Sequence, residues 1–261
     1  MAGVLCTWAA NISETAEKYY EDEYIPLMTS KLALHSLHCE LVEVGLDAEV
    51  DGVGEREAPW KWLTVYEMED ADKATAAVYD KSNHIEMAGD MAQARFDVRT
   101  YKEHKRWQQG DWQGGTRTIL HRHQHKEANQ ETDHADIVSV AVMEWQIRAG
   151  SEQEVLDFYK SEAAPTIASS PDVLRFRMFQ VQNATVLKAG SYDTLEQEKL
   201  HTYLTLVELE TEEWPWDAVV ALGEKPKWRE YFDKQNVVKW QSSHYLVKRS
   251  YPDSDEGSDK Q

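Results

Sequence analysis

Between Leu34 and Leu41 the two sides of an extended chain differ. His35, Leu37, Cys39 and Leu41 share one face, and Leu34, Ser36, His38 and Glu40 share the other. That period of two predicts a strand. Around it the first half reads as a β-rich run over residues 4–10, then a helix opened by Ser13 that ends or bends near Pro26. A polar loop follows over 45–59, then a strand over 62–68, an alanine-rich helix over 71–81 and a strand over 96–101. The second half gives a strand over 138–147, a helix over 151–162, strands over 173–181 and 201–209, a helical stretch over 214–232 and a strand over 243–247.

Individual residues repeat along with that order. Tyr19, Tyr20, Glu23 and Pro26 recur as Phe158, Tyr159, Glu162 and Pro165. The run from Lys61 to Glu69 recurs from Thr202 to Glu210, with Leu63, Thr64 and Glu67 matched by Leu204, Thr205 and Glu208. The runs 34–42 and 173–181 also correspond, which sets Arg175 and Arg177 against Ser36 and His38. Each half is therefore a βαββαβ, ferredoxin-like unit. Such a sheet carries helices on one face and leaves the other bare, so it needs a partner sheet. The expected fold class is α+β, tandem ferredoxin-like repeats closing into one pseudo-symmetric barrel. The units span 1–106 and 136–251, a polar histidine-containing linker spans 107–135, and a disordered tail spans 252–261.

Charge narrows the partners. The 261 residues include 47 acidic and 28 basic ones, a net charge of -19. Such a surface repels phosphate backbones and anionic lipid, so neither nucleic acid nor membrane is expected. Cys6 and Cys39 lie in apolar runs and read as buried free thiols of a reducing compartment. No run approaches the roughly 18 apolar residues of a membrane span, and no basic leader is visible, so a cytoplasmic protein is expected. The glycine-rich nucleotide motifs, the zinc-protease motif and the nucleophile-elbow motif are all absent.

The segment Tyr20-Glu-Asp-Glu-Tyr-Ile-Pro-Leu, with a strand after it and then Trp62-Leu-Thr-Val-Tyr-Glu-Met, resembles the dimeric α/β-barrel superfamily. Within it the chain is most similar to fungal EthD-like proteins that carry two such units. The resemblance covers all but the linker and tail. It implies an intramolecular dimeric α/β-barrel and a place among decarboxylases, polyketide cyclases, isomerases and haem- or quinone-handling monooxygenases, many of them free of cofactors. The family pattern puts a histidine two residues before the proline of the first helix. Here those places hold Tyr24 and Ala163. The resemblance thus implies Tyr24 as an acid–base or hydrogen-bonding substitute in the first half, and a lost site in the second.

Other residues offer chemistry and a blander explanation together. His35 and His38 point to opposite strand faces, so they make a poor metal pair, but either can serve as a general base or as a satisfied core histidine. A tyrosine hydroxyl such as that of Tyr24, Tyr66 or Tyr101 can donate to a developing enolate oxygen; for Tyr101 core packing is the better account. Trp8, Trp60, Trp62 and Trp145 lie in or beside strands and can wall a flat apolar ligand or simply pack. Arg175 and Arg177 can clamp a carboxylate, but on so acidic a chain pairing with Glu208 is favoured. Glu23 and Glu162 read as structural, each able to pair with a cation. His121, His123 and His125 alternate in the linker, and no cysteine or carboxylate motif completes a metal site there.

These readings converge on a cofactor-independent, metal-free enzyme of secondary, polyketide-type metabolism. It would be a decarboxylase, cyclase or isomerase acting through an enol(ate) in a pocket between helix and sheet of the first half. Tyr24, His35 and His38 are the catalytic candidates, and Trp8, Trp62, Tyr66 and Tyr101 the substrate-binding ones. The partner is a small apolar or aromatic metabolite, and the protein a monomer or homodimer. The alternatives are a non-catalytic carrier of an apolar metabolite, and a haem- or metal-dependent monooxygenase with His35, His38 or His84 as ligand.

Overall fold

A computed structural model describes residues 2–42, 60–79, 89–108, 137–188, 191–196 and 199–252. The first half comprises β1 (Gly3–Ala10), α1 (Glu14–Tyr19), a π-helical turn (Tyr20–Tyr24), α2 (Ile25–Leu32), β2 (His35–Leu41), β3 (Trp62–Met68), α3 (Ala71–Tyr79) and β4 (Arg95–Gln108). The second comprises β5 (Ser139–Ile147), α4 (Glu152–Phe158), a π turn (Tyr159–Ala163), α5 (Ala164–Ala168), β6 (Val173–Lys188) and a short β7 (Ser191–Thr194). It continues with β8 (Tyr203–Leu209), α6 (Trp216–Gly223), α7 (Pro226–Trp228), a third π turn (Arg229–Asp233) and β9 (Val238–Tyr251). Residues 43–59, 80–88, 109–136 and 253–261 lie outside the described residues, and with them the polar loop, His84, the His121, His123 and His125 tract and nearly all of the linker and tail.

Strands run in the order β4-β1-β3-β2-β9-β5-β8-β6, and a β4–β6 pairing closes them into an eight-stranded barrel, with β7 as a hairpin partner on β6. Every pairing is antiparallel. The barrel is the expected α+β architecture, two fused ferredoxin-like units forming an intramolecular dimeric α/β-barrel. Three strands outrun their sequence expectation: β4 and β9 have 14 residues each and β6 has 16. Much of the extra length pairs across the halves, although residues 238–242 of β9 pair with β5 of their own half. β9 first lies along β5 and then along β2, and the far end of β4 lies along β6.

The barrel interior is an apolar cluster fed by alternate residues of both sheets, among them Cys6, Trp8, Cys39, Tyr101, Val142 and Phe179. Two further clusters lie outside the barrel, one beneath the helices of each half. Both first helices continue past their proline. Pro26 and Pro165 lack an N–H and crowd the preceding turn, which widens: Ile25 N–H bonds Tyr20 O and Ala164 N–H bonds Tyr159 O, each five residues back. Gly3 sits where a Cβ would lie 2.2 Å from Tyr101 O, so a side chain cannot be placed there without moving β4.

Polar residues inside the barrel are paired charges. Arg175 and Arg177 both bind Glu208, as charge balance anticipated, and Arg175 Nη2 also reaches Glu67 at 2.9 Å. His35 Nε2 completes the group, 3.1 Å from Glu67. Elsewhere in the interior Arg99 binds Asp97 at 2.7 Å and Glu144 at 3.1 Å. Register corrects the sequence match of the second strands. His35 pairs with Glu67 as Arg175 pairs with Glu208, so Arg175 and Arg177 correspond to His35 and Leu37, one residue from Ser36 and His38. A one-residue slip exchanges the faces of a strand. That is why both arginines point into the barrel rather than toward the helices.

Burial alone would raise the carboxyls of Glu67 and Glu208. Arg177, Arg175 and, for Glu67, the His35 hydrogen bond outweigh it and hold both well below the ordinary carboxylate range. Because their folded-state values are depressed, they contribute stability that is fully present above about 4.5 and is lost as pH falls through the folded values. Arg175→Met should therefore destabilise the protein by about 3–5 kcal/mol at neutral pH. In chemical denaturation the gap from wild type should narrow below pH ~4.5, as the carboxyls left behind take up protons. An equal gap at pH 7 and pH 3 would remove the charge cluster from this account.

Candidate functional site

Equivalent positions in the two halves build two different interiors between helices and sheet. In each, a tyrosine of the π turn reaches a threonine on the third strand of its unit: Tyr20 to Thr64 at 3.3 Å and Tyr159 to Thr205 at 2.7 Å. The register Leu5↔Tyr66 matches Ala141↔Val207, so Tyr66 and Val207 are equivalent, as are Tyr24 and Ala163 in the repeat.

Among the described residues, aromatic rings fill the space beneath the first-half helices. Tyr20 stacks on Tyr24 with ring centroids 5.7 Å apart and meets His38 edge-on at 5.7 Å. His38 lies 5.1 Å from Trp62, and Tyr66 is buried beside them. Four of the predicted residues, Tyr24, His38, Trp62 and Tyr66, are thus brought together. The other three lie through the sheet, inside the barrel. Trp8 packs in the interior apolar cluster, Tyr101 is in the same cluster with its hydroxyl 3.5 Å from Glu144, and His35 belongs to the Glu67 charge group. The expected substrate-binding set of Trp8, Trp62, Tyr66 and Tyr101 is not brought together: alternation sends two of them to each face. Trp60 is also interior, and Trp145 sits under the helices of the other half. Glu162 pairs with Lys225 at 3.5 Å, the structural role expected of it.

His38 ends a hydrogen-bond chain. Lys248 donates to Glu21 at 2.7 Å, and Glu21, an acceptor only, takes His38 Nε2–H at 3.2 Å. His38 Nδ1 therefore accepts from the Thr64 hydroxyl at 3.1 Å, and Tyr20 must donate to Thr64. Burial pushes the imidazole down to about 3, and the charge of Lys248 reinforces this. The Glu21 contact is thus a hydrogen bond to a neutral ring and not an ion pair.

In the second half the corresponding space is open. A cavity of about 220 Å³ lies between β5, β6, β8 and β9 and the helices, bounded by Tyr159, Ala163, Phe176, Val207, Trp214 and Trp228 among others. Its volume exceeds the ~150 Å³ of an apolar cavity that admits benzene, so it can take a small fused-ring body. Ala163 and Val207 stand where the first half has Tyr24 and Tyr66, and this loss of two phenol rings leaves the room. The sequence expectation at Ala163 is a lost site; in the structure this small residue borders the cavity.

Proton allocation also differs. Met178 takes the register place of His38, and Trp145 Nε1–H donates to Thr205 at 3.1 Å. Thr205 can then give its own proton to Tyr159, leaving the Tyr159 O–H for a ligand, whereas the Tyr20 proton is spent on Thr64. Burial raises the Tyr159 phenol above its ordinary range, so it remains a donor at neutral pH. The cavity lining contains no histidine, cysteine, carboxylate, lysine or arginine, which leaves no histidine or thiolate ligand there for a haem iron. Among the described residues no group of three or more His, Cys, Asp or Glu is placed to hold a metal ion, and no helix is long and apolar enough to cross a membrane.

No family model matches the sequence, and no curated protein matches it. Among solved structures, an anthrone oxidase-like protein superposes with a TM-score of 0.54 at 10% identity, covering 95% of this chain and 92% of its own. A protein from Lactobacillus acidophilus, provisionally described as a monooxygenase, gives 0.47 at 9% identity, covering 94% and 93%. The first likeness supports the fold.

Depressing a histidine from 6.5 to about 3 means the unfolded chain binds its proton first, so His38 costs stability as pH falls below about 6.5. Imidazole resonances of His38 should hold their neutral positions from pH 8 to pH 4 in an NMR titration. A midpoint between pH 6 and 7 would place the ring in contact with solvent and contradict the buried chain.

Proposed function

We propose that the protein binds a flat, neutral, largely apolar aromatic molecule in the second-half cavity and oxidises it in a monooxygenase-like reaction. The observation that carries this reading is the apolar cavity bordered by Ala163 and by Tyr159, whose hydroxyl shares a 2.7 Å hydrogen bond with Thr205. Tyr159 would donate to a phenolic or enolic oxygen of the ligand, and that bond strengthens as negative charge develops there. The aromatic wall fixes the ring plane and excludes water, which strengthens the same bond. Barrels of like topology include a protein described as anthrone oxidase-like, which supports aromatic oxidation as the reaction class. With no base in the lining, the substrate must be acidic enough to ionise once its oxygen is held. For an anthrone-type ketone the balance is one dioxygen consumed, a ring CH2 converted to C=O, and one water released. The decarboxylation, cyclisation or isomerisation expected from the sequence would use the same donor, and oxygen uptake separates them from oxidation.

A carrier is the second reading. It is favoured by the absence of any group in the lining that titrates near neutral pH.

Anthrone supplies the test. Wild type should bind it and consume dioxygen mole for mole with ketone oxidised. Tyr159→Phe should slow turnover on the order of 10²-fold. Ala163→Tyr should restore the first-half packing, keep the fold and weaken binding by ~10-fold or more, equivalent to ~1.4 kcal/mol. Binding without uptake, still lost in Ala163→Tyr, would select the carrier. Binding and uptake unchanged in Ala163→Tyr would place the site elsewhere.

A further inference from the structure

A glycine stands in the wall of the second-half cavity where neither backbone nor packing calls for one. Gly223 is the last residue of α6 and lines the cavity. Glycine in a helix is less stable than alanine, because it loses more backbone freedom on folding. At a helix end it usually supplies the left-handed residue that stops the helix. Gly223 does not: its φ lies outside the left-handed region, and Glu224 after it is right-handed, with φ -78 and ψ -18. Close approach, the reason for Gly3, fails as well. A Cβ built on Gly223 meets nothing within 4 Å beyond its chain neighbours and its own helix backbone.

That empty space lies at the cavity mouth. Helical side chains lean back over the preceding turn, toward the residues three and four before them. For position 223 these are Val220 and Val219. Val219 lines the cavity and Val220 is 59% exposed, so a side chain at 223 would stand where the wall meets solvent. The strand floor is closed, with Ala141, Phe176 and Val207 buried. Val219, Gly223 and Trp228 are half-buried, so the cavity opens along the corner between α6 and α7.

The corner itself is fixed. Arg229 Nε–H donates to Gly223 O at 2.8 Å, and Lys225 pairs with Glu162 of the π turn at 3.5 Å. Trp228 stacks on Phe232 with ring centroids 4.2 Å apart. The gap at Gly223 is therefore built into the wall, and no helix has to move to make it.

We propose that Gly223 is a specificity residue, its missing side chain leaving a slot through which a substituent on the bound aromatic body passes out of the cavity. This rests on the cavity being the binding site, as proposed above. Tyr159 and Thr205 are both buried, so the substituent leaves from an edge remote from the oxygen that Tyr159 holds. Val219 and Trp228 flank the exit, which suits an apolar chain. The ligand class narrows to an aromatic ring system that carries such a chain opposite its oxygen.

The probes are 1-tetralone and 6-butyl-1-tetralone, whose chain lies across the ring from the carbonyl, measured by equilibrium dialysis. Wild type should hold the butyl form at least as tightly as the parent ketone. Gly223→Leu should weaken the butyl form about tenfold, the scale of overfilling a packed site, and leave the parent within about twofold. Gly223→Ala should melt no lower than wild type, because its extra carbon displaces nothing and alanine favours the helix. Equal effects of Gly223→Leu on both probes, rejection of the butyl form alone by wild type, or a lower melting temperature for Gly223→Ala overturns the assignment. Retention of neither probe by wild type would instead sink the cavity reading itself.

Discussion

Each four-stranded sheet in this chain has a second apolar face that its own helices do not reach, and only the other sheet can cover it. Burying those faces against one another forms the barrel, and the rest of the molecule follows from that constraint. The long strands β4, β6 and β9 exist because closure needs strands that belong to both sheets. Once the barrel is closed, its interior is committed to packing and to paired charge. The Glu67, Arg175, Glu208, Arg177 and His35 group brings equivalent positions of the two halves together at the pseudo-twofold relation. Open volume is left beneath the helices of the second half.

The spaces beneath the helices of the two halves share a frame and differ in filling. A π turn, a tyrosine and a strand threonine recur in each. Tyr24 and Tyr66 fill the first half, and His38 occupies the Thr64 proton. Ala163, Val207 and Met178 at the corresponding places leave volume in the second, and no histidine accepts the Thr205 proton there. One half is closed by aromatic packing and a hydrogen-bond chain that runs out to Lys248, and the other retains a cavity.

The fold was legible because the repeat could be read residue by residue: the matched helix prolines and the Leu-Thr motif of the third strands set the topology, and the bare sheet face demanded closure. Strand ends were not legible, since residues 102–108 and 182–188 pair with partners in the other half and carry no local signal of it. The match of β2 to β6 slipped by one because the helix alignment was carried into the strand, and that slip exchanged faces for Arg175 and Arg177. Of the seven candidate residues, Tyr24, His38, Trp62 and Tyr66 come together beneath the first-half helices, and His35, Trp8 and Tyr101 lie inside the barrel. Ala163 was noticed as a missing acid–base group, although its consequence is volume. Tyr159 and Thr205 were visible as repeats of Tyr20 and Thr64.

The most direct measurement is a crystal structure under xenon pressure, because xenon enters apolar cavities and ignores polar surface. Xenon density between Ala163, Phe176, Val207 and Trp214, with none beside Tyr24 and Tyr66, is the predicted result. Density in the first half with an empty second half would contradict the division of the two units on which the functional reading stands.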